Sequence, residues 1–240
     1  MIMETDRKWI IVRIDGKITS ISTDYRQLAA ITAKLALTTS ADTKAYKGIA
    51  AATQKICADT VGFDEVWKLR NEVRWEDLML FGTDFQKSVW RKLWELTHAA
   101  GPDEEIPGAG KEGPDGDNSR KGYGGDGHAG PGPEGRPAAS LISYSDFADL
   151  CRNRAGVRAV AHAIGLNPVS VIIPCHLVIP KEAIDKMNAI RTKAESTIFK
   201  GEDLCLGSIL KDESIDFGEY SLGRSLKRWL IDLELTGDIS

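Results

Sequence analysis

Residues 169–178 read Val169-Ser170-Val171-Ile172-Ile173-Pro174-Cys175-His176-Leu177-Val178. The unbroken apolar run Val169–Ile173 predicts a short buried strand. Pro174 has no N–H to give and ends the ladder there. Cys175 is therefore expected at a rigid strand end, with a histidine directly after it. A thiol attacks well only as a thiolate, and a base beside it can draw off the proton. A cysteine buried for packing alone is the plainer reading of these two residues, so the flanks must decide.

Upstream, Tyr144–Cys151 and Val157–Ile164 read as two short helices joined by Arg152-Asn153-Arg154-Ala155-Gly156. A glycine in such a turn predicts a helix-turn-helix, whose second helix commonly meets DNA. Arg152, Arg154 and Arg158 supply local positive charge. The chain as a whole carries a formal net charge of −4, so any nucleic-acid binding must come from such a local face. A compact helical pair with a solvated basic edge is the competing reading of the same residues.

The 240 residues are 42% hydrophobic and 28% charged, which suits one or two soluble globular domains. No apolar run approaches the ~20 residues that span a membrane. The start of the chain lacks a signal-peptide shape. Cys57, Cys151, Cys175 and Cys205 show no paired spacing, which argues against zinc ligation and a disulfide framework and for a reducing compartment. The expectation is a cytoplasmic protein, nuclear if the source is eukaryotic, with no metal and no cofactor.

Toward the N-terminus, Asp15-Gly16 between the apolar alternations Trp9–Ile14 and Lys17–Ser22 predicts a hairpin. Helices are predicted over about Tyr25–Leu37, Thr43–Asp59 and Asp64–Leu80. Residues 1–80 are read as a small α/β domain and residues 81–240 as a mainly helical domain. Within the second, residues 101–137 hold 12 of the chain's 23 glycines and 6 of its 9 prolines, with almost no aliphatic residues. Such a segment cannot offset its ordering entropy by burial, so it is expected to be a disordered insertion. A second insertion, residues 181–217, is charged but partly apolar and reads as helix plus loop.

Five blocks in order extend the reading: Gly82-Thr83-Asp84-Phe85-Gln86-Lys87-Ser88-Val89-Trp90, Ser143–Ala148, Arg158–Pro168, Ile173–Val178, and Tyr220–Gly223 followed by Lys227-Arg228-Trp229-Leu230. Together they resemble the O6-alkylguanine-DNA alkyltransferase family, across residues 82–100, 140–180 and 218–236. The resemblance implies an α/β N-terminal domain and a mainly helical C-terminal domain, in which a helix-turn-helix and a short strand precede the active-site cysteine. It implies stoichiometric transfer of an alkyl group from O6-alkylguanine in double-stranded DNA to Cys175, by a monomer.

The resemblance also assigns residues. His176, working through a water and oriented by Glu234, deprotonates the thiol. Tyr144 donates to the leaving guanine. Tyr220 and Ser221 belong to the substrate loop, Asn167 pins the turn beside the cysteine, and the Val178 carbonyl reads the exocyclic amine. Arg158 fills the gap left by the extruded base, Ala159 allows close backbone approach, and Arg152 and Arg154 add charge on the DNA side. Three positions depart from the family pattern: Leu177 replaces an arginine, Leu222 replaces a small residue or tryptophan, and His162 replaces glycine or alanine. Two other readings stay open, a non-catalytic lesion-binding protein that recruits repair factors and a Cys-His hydrolase of another fold. The latter usually holds its nucleophile and base far apart in sequence.

Overall fold

Asp15 and Gly16 take φ values of 50° and 81°. This left-handed backbone is what a two-residue hairpin turn needs. It joins strand β1 (Trp9–Ile14) to β2 (Lys17–Ser22), in antiparallel register from Ile10 opposite Ser22 to Ile14 opposite Lys17. The predicted hairpin is thus present with its predicted ends. The computed structural model describes residues 6–26, 55–98, 141–198 and 212–236.

A third strand, β3 (Ile56–Val61), pairs antiparallel with the other edge of β1, giving the order β2-β1-β3. This corrects the helix expected over Thr43–Asp59 at its C-terminal end. Ile56, Thr60 and Val61 are β-branched, and the open edge of β1 gives their backbone a ladder that local propensity does not foresee. The Asp15 carboxylate fastens the junction by accepting from the Lys55 N–H at 2.9 Å. The rest of that expected helix, most of Tyr25–Leu37 and all of 101–137 lie outside the described residues.

Strand β1 is buried on both faces, which explains its nearly continuous apolar sequence. Trp9 and Ile11 enter the main core, while Ile10, Val12 and Ile14 pack with Phe81. Helix α1 (Phe63–Glu72) adds Phe63 and Val66 to the main core. It ends well short of the expected Leu80. Val73 is extended, and the chain then passes through a single 3-10 turn, Trp75–Asp77, to lie along β2. There the Met79 N–H donates to the Ile18 carbonyl at 2.8 Å.

Helix α2 (Asp84–Glu95) begins with a reciprocal cap: the Gln86 N–H donates to Thr83 Oγ1 at 3.2 Å and the Thr83 N–H to Gln86 Oε1 at 2.9 Å. Gly82 is needed just before it, because a Cβ there would lie 2.7 Å from the Trp90 ring. Strand β4 (Ile142–Ser143) leads into helix α3 (Tyr144–Leu150), and helix α4 (Val157–Gly165) follows a 3-10 turn at Arg154–Gly156. The predicted helix pair is present. A Cβ on Gly156 would lie 2.3 Å from the Asn153 side-chain amide, so glycine lets that side chain fold over the turn. Trp90 ties α2 to α4 by donating from Nε1 to the Ala163 carbonyl at 2.8 Å.

Strand β5 (Val178–Ile179) pairs parallel with β4, and helix α5 (Lys181–Ile198) starts just beyond it. The second insertion is therefore helical from its first residue; positions 199–211 lie outside the described residues. Helix α6 (Arg224–Thr236) closes the described chain. Leu226, Leu230 and Leu233 of α6 join the main core, which also holds residues of β1, α1, α2, α3 and α4. Ile231 faces a second cluster with Ile179, Ala183, Ile215 and Phe217. Among the described residues no helix is long and apolar enough to cross a membrane.

Replacing Gly16 by alanine isolates the cost of the hairpin backbone, since nothing lies within 4 Å of the added Cβ. Gly16→Ala should lower unfolding free energy by about 1 kcal/mol, read as a lower denaturant midpoint at unchanged slope. An unchanged midpoint would mean that the turn is not left-handed at this residue.

Candidate active site

The segment before the cysteine is buried as expected, but it is not a strand. Val169 and Ser170 form only isolated bridges, and the chain turns at Val171-Ile172, with Val171 at φ 73°. Asn167 organises this turn. Its Oδ1 accepts from the Val169 N–H at 3.0 Å, and its Nδ2 donates to the Ile173 carbonyl at 2.8 Å. A side chain that mimics a backbone partner in this way lets a β-branched run fold back on itself. The Ile21 N–H donates to the Pro168 carbonyl at 2.9 Å, so the loop hangs from the outer edge of β2. Cys175–Leu177 then forms one 3-10 turn, in which all three side chains are buried.

His176 is wholly buried. Its Nε2 lies 2.8 Å from Glu234 Oε1 on α6. The same carboxylate oxygen accepts from Nη1 of Arg70 on α1. The imidazole therefore carries its proton on Nε2, facing the carboxylate, and Nδ1 keeps a lone pair. Among the described residues Nδ1 has no hydrogen-bond partner. Burial pushes the His176 pKa down against the pull of Glu234, and the charges of Arg70 and Lys227 push it the same way as burial. The ring is thus held as a neutral base. Burial alone would raise the Glu234 pKa, but the hydrogen bond from His176 and the charge of Arg70 outweigh it and hold the carboxyl below its usual range.

Burial pushes the Cys175 thiol up. The Asn167 Nδ2, 3.1 Å from Sγ, and the Lys227 ammonium pull it the other way. Lys227 is itself buried on α6 and donates from Nζ to the Val178 carbonyl at 2.9 Å. Burial lowers its pKa to about 8. Cys175, Tyr144, Tyr220 and Ser221 line one cavity of about 280 Å³, completed by Ala161, Ile164, Gly165 and Glu219. Burial, followed by the Cys175 and Glu219 charges, raises the Tyr144 pKa, so this phenol keeps its proton. The Tyr220 ring meets His176 edge-on at 6.5 Å between centroids.

The structure brings together Cys175, His176, Glu234, Tyr144, Asn167, Tyr220 and Ser221. Val178 is buried and does not line the cavity; its carbonyl is engaged by Lys227. Arg158 and Ala159 are exposed on α4, Arg152 is exposed at φ 53° in the connection, and exposed Arg154 lies 3.7 Å from Asp149. Leu177 is fully buried. Among the described residues no cluster of three or more His, Cys, Asp or Glu side chains is placed to hold a metal ion.

Sequence reasoning missed Arg70 and gave Lys227 no role. Arg70 had a signal: Phe63, Val66, Trp67 and Arg70 fall at i, i+3, i+4 and i+7 of α1, which places an arginine on the apolar stripe. An arginine there must be paired with a buried anion.

Residues 137–196 match the family described as the DNA-binding domain of 6-O-methylguanine DNA methyltransferase. A probable methylated-DNA--protein-cysteine methyltransferase of Acanthamoeba polyphaga mimivirus is 30% identical over 105 residues, 44% of each chain. The inducible methylated-DNA--protein-cysteine methyltransferase of Bacillus subtilis is 51% identical over 45 residues, 19% of this chain and 25% of the relative. The chain thus spans less than half the length of these curated relatives. Among solved structures, O6-methylguanine-DNA methyltransferase from Pyrococcus kodakaraensis aligns over 95% of this chain and 91% of its own, at 18% identity and a TM-score of 0.43. Mycobacterium tuberculosis OGT in complex with DNA aligns over 66% and 54%, at 23% identity and a TM-score of 0.34.

Asn167→Ala should remove three buried hydrogen bonds at once and leave their partners unpaired. The unfolding free energy is expected to fall by roughly 2–4 kcal/mol in denaturant titration, since each stranded buried group costs about 1–3 kcal/mol and the loop relaxes in part. A loss below about 0.5 kcal/mol would mean that Asn167 does not hold the turn.

Proposed function

We propose that this chain, a member of the O6-alkylguanine-DNA alkyltransferase family, repairs DNA by moving the alkyl group of O6-alkylguanine irreversibly onto Cys175. The observation that carries the proposal is the position of the Cys175 thiol: it opens on a cavity while the buried His176–Glu234 pair sits next to it in the chain. Attack by the thiolate forms an Sγ–carbon bond and breaks the bond from that carbon to O6. The thiol proton passes by way of a bridging water to His176 Nδ1, the nitrogen left free by the Nε2–Glu234 contact. Glu234 then stabilises the imidazolium as carboxylates do in hydrolytic triads.

The departing guanine carries negative charge unless it is protonated. Tyr144 lines the cavity with its phenol held protonated by burial, and it is the proposed donor. Ser221 and Tyr220 form the loop that holds the base. The product is a thioether, which no nearby group can cleave, so each molecule acts once. Asn167 acts on the nucleophile, through its contact with Sγ, as well as on the turn.

Inside a duplex the O6 substituent is out of line for any thiolate, so the base must leave the stack at a cost of a few kcal/mol. Arg158 stands exposed in the first turn of α4, with small Ala159 beside it, and is assigned to the vacated position in the stack. Arg152 and Arg154 supply charge to the phosphates. The α/β region of residues 1–80 serves the transferase region of 81–240 as scaffold. The partner is double-stranded DNA bearing the lesion, and the protein acts as a monomer.

Incubation with a duplex containing one O6-methylguanine should raise the intact mass by one methylene equivalent, mapped to Cys175, and then stop. Cys175→Ala should bind the same duplex with affinity within about twofold of the parent and accept nothing. A bound duplex with no adduct on the parent would favour the non-catalytic lesion-binding reading. An adduct on Cys57 or Cys151, or turnover beyond one equivalent, would refute the proposal.

A further inference from the structure

Arg70 is 4% exposed and belongs to a helix that contributes no residue to the cavity. Its guanidinium nonetheless reaches Glu234, 164 residues further along the chain. It lies 4.7 Å over the Trp67 ring, and the Arg70 carbonyl lies 3.0 Å from His98 Nε2. His98 in turn stacks on Trp94 of α2 at 3.5 Å between ring centroids. Side chain and backbone of this residue are therefore both held in place. Residue 177 is a leucine, so no guanidinium enters the site from the cysteine motif itself.

A buried carboxylate that faced only an imidazole could shed its charge in two ways. It could take a proton itself, and then it would no longer fix the ring as an acceptor. It could draw a proton onto the ring, and then Nδ1 would have no lone pair for the thiol. Either outcome disables the base before any substrate arrives. An arginine cannot lose its proton in a protein, so its charge on Glu234 is permanent. With that charge in place the carboxylate stays ionised and still accepts from Nε2, and the ring stays neutral. The two donors meet on one oxygen, Oε1, so the guanidinium acts on the atom that orients the ring.

We propose that Arg70 is a positioning residue of the alkyl-transfer site: its guanidinium neutralises Glu234, so that the carboxylate orients His176 without charging it. The proposal rests on the reading of Cys175 as alkyl acceptor and His176 as its base. It makes helix α1, at the N-terminal end of the chain, part of the machinery of the C-terminal half. The charged and titratable groups that face His176 are Glu234 and Lys227 from α6, Arg70 from α1, Cys175 from its own turn and Tyr220 from the substrate loop.

The test uses the full chain with isotope-labelled histidine, the His176 signal being assigned by its loss in His176→Gln. In the parent, His176 should titrate below the ordinary 6.5. Arg70→Met should raise that midpoint by about one pH unit or more, because the ring becomes the only cation available to Glu234. Arg70→Lys, which keeps the charge, should stay close to the parent. Transfer from an O6-methylguanine duplex at neutral pH should fall roughly a hundredfold in Arg70→Met, within the range a general base contributes, with DNA affinity unchanged. In a Glu234→Gln background, removing Arg70 should raise the midpoint less than it does with the carboxylate present, because only the direct repulsion between guanidinium and ring is then relieved. If Arg70→Met does not fold, Arg70→Gln gives the same reading. An unmoved midpoint in the neutral variant, or an equal shift in Arg70→Lys, overturns the proposal. The titration needs no substrate, so a parent that accepts no alkyl group would refute the transfer reading and leave this result standing.

Discussion

One carboxylate oxygen holds the candidate site together. Glu234 Oε1 accepts from His176 on the cysteine turn and from Arg70 on an N-terminal helix, and all three side chains are buried. Three segments far apart in sequence thus converge on one atom. Removing one partner of a buried pair leaves an uncompensated charge, at a cost of about 3–5 kcal/mol. The pairs therefore constrain how α1, α6 and the Cys175 turn sit relative to one another. They also set the chemistry: the carboxylate fixes the tautomer, and the guanidinium keeps the carboxylate from charging the ring.

The rest of the fold serves that arrangement. Strand β2 is hydrogen-bonded along its outer edge to Met79 on the way to α2 and to Pro168 on the way to Cys175. The sheet thereby acts as a ruler for the loop that carries Cys175, the proposed nucleophile. Asn167 folds the loop, and β5 returns from it by pairing with β4, which launches Tyr144 toward the same cavity. Lys227 closes the far side by donating to the Val178 carbonyl, and its charge favours the thiolate. Burial alone would hold Cys175 as an inert thiol. The Asn167 amide, the Lys227 ammonium and Tyr220 pull the other way and counter part of that rise.

Much of this was legible in the sequence where local chemistry governs. Asp15-Gly16 announced its turn because its backbone need is local. The cysteine motif and the helix pair lie in short contiguous blocks. What could not be read depends on distant partners. Ile56–Val61 became a strand because β1 offered an edge, which nothing within residues 43–59 could reveal. Val169–Ile173 has strand composition, yet the Asn167 amide satisfies its backbone and bends it. Arg70 was the harder case: its place on an apolar stripe required an anion, but only the folded chain identifies that anion as Glu234.

The central claim is that the buried chain from Arg70 through Glu234 to His176 presents Nδ1 of the ring as a lone pair to the thiol proton. The most direct measurement is the ¹⁵N spectrum of His176 in the resting, unalkylated protein at neutral pH. The account predicts a neutral ring with the proton on Nε2 and a bare Nδ1. A ring protonated on both nitrogens, or a neutral ring carrying its proton on Nδ1, would contradict it.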